Sequence, residues 1–439
     1  MRFDRVRDHS PAGRHRRVVH FPKMTVSKAV QTTAQIVAAV RNSTWVTRER
    51  LFTYSMTILA ISFAIISWTL AGRGINDPAG RPVGTDFVSF WTVSSALLTG
   101  NEHVIYSPEA LIILEHDLLP IQKELFFAWQ YPPIALLLVY PLAFLPYLWS
   151  LASWLAAGIA CYITVLWRIL PLPLTLVVGL AFPAVLLTIE HGQNALLSTS
   201  LLGWSLLLLI RRPIVAGVLL GFLSFKPQLG VLLPIALIAG GHWKTILAAM
   251  LAGAGLVATT VALFGGAIWR EFIASMRLTH DILDQGLVPY YKMQSVFAAV
   301  RLLGSSLILA YSLQAVVAAG AAAAVVWVWR RATDPDLKYA IVVVATPIAT
   351  PFFLDYDLMI VAPAITWLAR KGLKEGIPSW QGTMLALLWL MPLVSRPIGA
   401  CTGILLGPLV VAGVLASILV QVSHCLNASA PPHRAVLCS

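Results

Sequence analysis

Asp86 is the one carboxylate in the stretch RPVGTDFVSFW, residues 81–91, and Phe87, Phe90 and Trp91 follow it. An acid among apolar and aromatic neighbours is a candidate general base. The competing reading is a helix N-cap, a position that Asp favours. A second group lies in IEHGQNALLS, where Glu190, His191, Gln193 and Asn194 separate two apolar runs. Amide and ring groups of this kind can hold sugar hydroxyls by paired hydrogen bonds; the alternative is a bare turn around Gly192. Lys226, in LSFKPQLG, is the only charge between Arg212 and Lys244. It can meet a phosphate or extend toward lipid headgroups. In PFFLDYDLM, Asp355, Tyr356 and Asp357 could bind hydroxyls or a cation, or cap the next helix. YYKMQSVFAAVRLLG supplies Lys292, Gln294, Ser295 and Arg301. Its two cations are candidates for an anionic ligand or for lipid phosphates. THDILDQG offers His280, Asp281 and Asp284, in a spacing that matches no standard metal site.

These groups need a scaffold, and composition identifies its solvent. Of 439 residues, 58% are hydrophobic and 11% charged, against about 25% charged in a soluble domain. The chain therefore reads as an all-α, polytopic membrane protein. Long apolar runs occupy 52–72, 148–168, 171–189, 194–210, 244–264, 306–329, 337–353, 380–395 and 399–421. Shorter ones at 213–225, 228–241 and 356–369 are candidates for broken spans lining a cavity. The segment 131–146 carries four prolines and is expected to lie on or dip into the outer face without crossing. That assignment keeps the basic clusters from Arg168 to Lys374 on the inner side, as the positive-inside rule requires. It gives about twelve spans with both ends in the cytoplasm.

On this map the outer side holds 13 of the 19 acids and 9 of the 31 bases. It also holds two long loops, 73–147 and 265–305, so the chemistry is expected there. The organisation is a basic cytoplasmic segment at 1–51, a membrane domain at 52–421 and a cytoplasmic tail at 422–439. The net charge of +12 does not point to nucleic acid. Eleven of the 31 Lys and Arg lie in residues 1–51, where they suit cytoplasmic retention and contact with anionic lipid. No phosphate-binding loop, dinucleotide fingerprint or nucleophile elbow is present. The four cysteines show no zinc-type spacing.

The motifs also form a familiar order. An acid followed by Phe comes after the first span, then GN, VIY, YPP and PLAFLP. GQN, GFLSFKPQLGVLLPI, QS with RLLG, and TP…YDL…AP follow. This order resembles glycosyltransferase family 87, multispanning enzymes of the GT-C fold, from about residue 52 to about residue 370. The resemblance implies transfer of a hexose, typically mannose, from a polyprenyl-phosphate carrier to a lipid or glycan acceptor outside the cytoplasmic membrane. It implies Asp86 as catalytic base and places Lys226, Gln193, Gln294–Ser295 and Tyr356–Asp357 on family motifs. Members that mannosylate phosphatidylinositol lipids usually carry a His after a Trp-Asp pair in the last motif, where this chain has none.

The expected reaction is a direct displacement with inversion. One base suffices, because the phosphate is already a good leaving group; retention or hydrolysis usually needs two carboxylates. Lys226, Arg301 and Lys292 are the candidates for the donor phosphate. Glu190, His191, Gln193, Asn194, Gln294, Ser295, Asp355, Tyr356, Asp357, Trp91 and Tyr131 are the candidates for sugar and acceptor. Phe87, Phe90 and Trp129 are expected to stack on sugar or line the carrier's path. No organic cofactor is called for, and a metal stays open through Asp86, Asp355 and Asp357. The expected location is a bacterial inner membrane with the site facing the periplasm. The rival reading is a transporter of lipid-linked sugar, which would need no base.

Overall fold

The computed structural model describes residues 26–428. Residues 1–25 of the expected basic segment and 429–439 of the expected tail lie outside the described residues. The described residues contain no β-strand; their only extended pairings are isolated bridges at Arg73–Asn76, Asn76–Pro82 and Met293–Leu354.

The helices follow one another as α1 (Val26–Arg41), α2 (Arg48–Leu70), α3 (Phe87–Leu98), α4 (Pro108–Leu118) and the short α5 (Ile134–Val139). Next come α6 (Tyr147–Ile169), α7 (Pro173–Leu180), α8 (Pro183–His191), α9 (Ala195–Leu208), α10 (Pro213–Phe222) and α11 (Leu233–Ala239). α12 (Trp243–Phe264), α13 (Ala267–Gln285), α14 (Val296–Leu302) and α15 (Leu307–Arg331) form a third stretch. The described chain closes with α16 (Pro335–Ala349), α17 (Val361–Glu375), α18 (Gln381–Thr402) and α19 (Gly407–Ala428).

Six helices, α2, α6, α12, α15, α18 and α19, are long and apolar enough to cross a bilayer. The run expected to cross as one helix at 171–189 is broken: α7 and α8 meet at 50° and would make a seventh crossing together. The break falls at Phe182, before Pro183, because proline has no N–H to continue the ladder and suits a first helical turn. The runs at 194–210, 213–225, 228–241, 337–353 and 356–369 contain helices of 14, 10, 7, 15 and 15 residues. At 1.5 Å per residue, each is shorter than a hydrocarbon core of about 30 Å. Such pieces are tolerated at membrane depth when protein surrounds them. α16 shows this, for every residue from Tyr339 to Ala349 is buried.

The segment 131–146 folds as the six-residue α5 and a 3-10 turn at Leu142–Phe144, too short to cross. Ser94 ties it to α3, donating to Tyr140 O at 2.8 Å and accepting from Ala143 N at 2.8 Å.

One apolar core centres on α6, α9, α16, α17 and α19. A second lies under α3, where Phe90 meets Trp129, Tyr131 and Trp154 edge-on, with ring centroids 5.8, 5.5 and 5.9 Å away. Such pairs are worth about 0.5–1.5 kcal/mol each beyond the area they bury. The far end of α6 is tied by Arg370, which donates to Ile169 O at 2.9 Å and pairs with Asp336. Lys371 beside it pairs with Asp334 and Glu375. This basic lock and the Asp86 region therefore sit at opposite ends of a 23-residue helix, about 34 Å apart.

Candidate functional site

The loop before α3 is stiff because it is crosslinked. Asp77 accepts from the backbone N–H of Ala79 and Arg81 and from the Arg81 guanidinium at 3.1 and 3.0 Å. Two glycines then let this loop lie against the turn after α8. Gly84 and Gly192 both have positive φ, +73° and +64°, which L side chains rarely adopt. A Cβ on Gly192 would come within 2.6 Å of Phe87 Cβ and 3.4 Å of Gly84 Cα. The approach is held by Trp154 Nε1 donating to Gly192 O at 3.2 Å. Tyr147 Oη donates to Val83 O and Gly84 O, and Asp86 N donates to His191 O at 3.0 Å. Residues far apart in sequence, 84–87 and 190–194, become one surface.

Asp86 occupies the N-cap position of α3, yet its side chain makes no capping bond. Its carboxylate accepts from Gln193 Nε2 at 2.7 Å and lies 3.9 Å from His191 Nδ1. Its side chain is 32% exposed. Gln193 is a hub: Oε1 accepts from Tyr131 Oη at 3.1 Å, and Nε2 also donates to Tyr356 Oη at 3.2 Å. Thr85 Oγ1 lies 2.8 Å from His191 Nδ1, and the His191 ring stands 5.7 Å from that of Tyr356. The fold thus joins Asp86, Tyr131, His191, Gln193 and Tyr356. Asn194 is buried beside them, at the start of α9, and its backbone N–H donates to Gln193 Oε1.

Other residues take different places. Lys226, expected to face a phosphate, is 3% exposed, and its Nζ donates to Asp357 Oδ1 at 2.6 Å. Lys226 sits between two 3-10 turns, Leu223–Phe225 and Pro227–Gly230, and its charge would be costly there if unpaired. Asp357 is consumed by the same pair, and Lys226 lies 5.4 Å from the Tyr356 ring. Arg301, also expected at a phosphate, spends its donors on Ser305 O, Tyr290 Oη and Asp284 O. Asp284 itself accepts from Tyr311 Oη at 2.6 Å.

Gln294 and Ser295 are fully buried. Ser295 caps α14 through Ala298 N, and Gln294 Oε1 accepts from Ser395 Oγ at 2.6 Å. Their part is to fix a loop, because Gln294 N also donates to Phe353 O. Phe87, Phe90 and Trp129 are 0%, 1% and 5% exposed, so they form the core beneath Asp86 instead of a sugar platform. Trp91 donates from Nε1 to Leu145 O and packs on Tyr147.

A charged group borders the hub. Asp355 Oδ1 accepts from Tyr356 N, whereas its buried Oδ2 has no hydrogen-bond partner. Arg396 Nη1 lies 3.7 Å from that Oδ2. Lys292 lies within electrostatic reach of Arg396, Asp355 and Asp86. Burial, and then the charge of Arg396, hold its ammonium below the usual lysine range. Glu190 lies within electrostatic reach of His191, Arg81, Arg396 and Asp355. Among the described residues, Asp86, Asp355 and Asp357 do not gather with other ligands into a metal-binding group. Sequence reasoning passes over Arg396, since the family pattern ends near residue 370. Its signal was a lone charge between the two closing apolar runs.

No curated protein and no solved structure matches the chain. Residues 129–351, just over half of the sequence, match the model of glycosyltransferase family 87. The matched segment contains Gln193, Lys226, Lys292 and Gln294, while Asp86, Asp355 and Arg396 lie outside it and join it only through the fold. The chain belongs to glycosyltransferase family 87 and is a glycosyltransferase.

Proposed function

We propose that this glycosyltransferase moves a hexose, mannose in the first instance, from a polyprenyl-phosphate carrier to a hydroxyl of a lipid or glycan. The reading rests on one observation: the Asp86 side chain makes no capping bond, accepts from Gln193 at 2.7 Å and is 32% exposed. A carboxylate oriented in this way is suited to take a proton from an incoming alcohol. The acceptor oxygen bonds to the anomeric carbon as the carbon–oxygen bond to phosphate breaks. The proton goes to Asp86, and polyprenyl phosphate leaves with the bonding electrons, so the configuration inverts. Tyr131, His191, Asn194 and Tyr356 border this base and are suited to hold sugar or acceptor hydroxyls. Glu190 and Asp355 add acceptors at the rim.

The carrier's tail would stay in lipid while its head meets the Asp86 end of the bundle. That end would face the periplasm of a bacterial inner membrane, opposite the basic lock around Arg370 and Lys371. A GT-C arrangement of about twelve crossings fits if α9, α10, α11, α16 and α17 each cross as a short span surrounded by protein, in addition to the six long helices and the α7–α8 pair.

The test is Asp86→Asn, with radiolabelled polyprenyl-phosphate mannose and an envelope lipid extract as acceptor pool. Transfer should fall at least about a hundredfold, as removal of a general base requires, while the folded yield is kept. A variant that still forms labelled glycoside at the wild-type rate refutes the assignment. Absence of any new glycoside from the wild type would favour transport.

A further inference from the structure

Transfer from a phosphate carrier leaves negative charge on the departing phosphate, and cations must meet it. At the Asp86 end the obvious cations are committed elsewhere. Lys226 is spent on Asp357, Arg301 on Ser305, Tyr290 and Asp284, and Arg81 on Asp77. Two remain. The Lys292 ammonium has no hydrogen bond and no ion pair within 4.0 Å among the described residues. Among the described residues Arg396 has a single ionic contact, to Asp355 Oδ2 at 3.7 Å, which is beyond hydrogen-bonding distance.

The segments that carry Arg396 and Lys292 are packed together on both sides of Arg396. Tyr291 lies against Gly399, where a Cβ would come within 3.2 Å of it. Gln294 Oε1 accepts from Ser395 Oγ at 2.6 Å. The turn carrying Lys292 is therefore clamped to α18 one residue before Arg396 and three residues after it. Asp355 Oδ2 beside them is buried without a hydrogen-bond partner. Asp86 acts on Lys292 electrostatically without pairing with it.

We infer that Arg396 and Lys292 form the clamp for the phosphate of an isoprenoid-phosphate donor, with the planar guanidinium of Arg396 supplying the two-pronged contact. The inference rests on the proposed function for its choice of ligand. It moves the phosphate site from Lys226 and Arg301 to α18, outside the family-matched segment. In the free protein Asp355 holds Arg396 at a distance, and an arriving phosphate takes its place.

The test is direct binding of geranyl phosphate to the purified full chain in lipid-free detergent, with geraniol as the uncharged control. Wild type should bind the phosphate and not the alcohol. Arg396→Gln and Lys292→Gln should each weaken it about tenfold or more, and Arg396→Lys should recover part of the loss. If Arg396 merely balances Asp355, the double variant R396Q/D355N will bind as wild type does, and the inference fails. It also fails if Arg396→Gln alone leaves binding unchanged. Displacement of geranyl phosphate by an equal concentration of phosphatidylglycerol would assign the clamp to bulk lipid headgroups and overturn the donor assignment. Because the readout is binding, failure of glycosyl transfer with geranyl phosphate still bound through Arg396 would refute the proposed reaction and leave the clamp standing.

Discussion

Gln193 offers the sharpest perturbation of the site. Its Nε2 donates the one short hydrogen bond to the Asp86 carboxylate among the described residues, at 2.7 Å; the Thr85 hydroxyl is 3.4 Å away and lies closer to His191. A hydrogen bond to an ionised group contributes about 1.5–3 kcal/mol. If that bond orients the base for reaction, Gln193→Leu should lower turnover by about 10- to 150-fold, at about 1.4 kcal/mol per tenfold. The donor Michaelis constant should change little, because the bond acts on the base and not on the carrier. Leu also leaves Tyr131 Oη without its acceptor, which costs about 1–3 kcal/mol of stability. Gln193→Glu separates the two effects. It keeps an acceptor for Tyr131 but removes the donor to Asp86 and sets a second carboxyl against it. The assay is transfer of radiolabelled hexose at saturating donor, with thermal unfolding in detergent measured on the same preparations. Both variants should lose turnover, and Glu at least as much as Leu. Wild-type turnover in Gln193→Glu would refute the positioning role. A loss confined to the Michaelis constant would show that Gln193 binds the sugar directly.

Two further outcomes follow from buried charges. Lys226→Met strands Asp357 and should destabilise the protein by about 3–5 kcal/mol, whereas K226M/D357L should recover most of it; the check is the thermal midpoint. Normal stability in Lys226→Met with lost donor binding would return Lys226 to the phosphate site. Glu115 is fully buried, with Oε2 accepting from Phe127 N at 3.1 Å and Oε1 unpartnered, and burial pushes its carboxyl from 4.5 up to about 8. Between these values the folded state binds more protons than the unfolded, so stability falls as pH rises from about 4.5 to about 8 and is flat outside that window. The ceiling on this loss is about 5 kcal/mol. Glu115→Gln should flatten the dependence, and an equal slope of thermal midpoint against pH in both proteins would refute it.

The sequence by itself determined the solvent, the helical class and the family. Apolar runs of membrane length and a low charge content are local properties, and helices satisfy their backbone locally. Asp86 and the GQN turn were also legible, because a charge at the boundary of an apolar run is costly enough to stand out. The partners of those groups were not legible. Lys226 looked available because the nearest acid in the chain is Glu190, yet it pairs with Asp357, 131 residues on. Gln294 and Ser295 looked functional from their types, but their partners on α18 and at Phe353 make them structural. The aromatics after Asp86 suggested a sugar platform until helix packing turned them inward. Arg396 became relevant only when α18 was brought against the turn at 290–292. Tertiary structure decided these assignments because a side chain's role depends on which opposite charge or packing face reaches it. That choice is made by contacts between helices far apart in sequence.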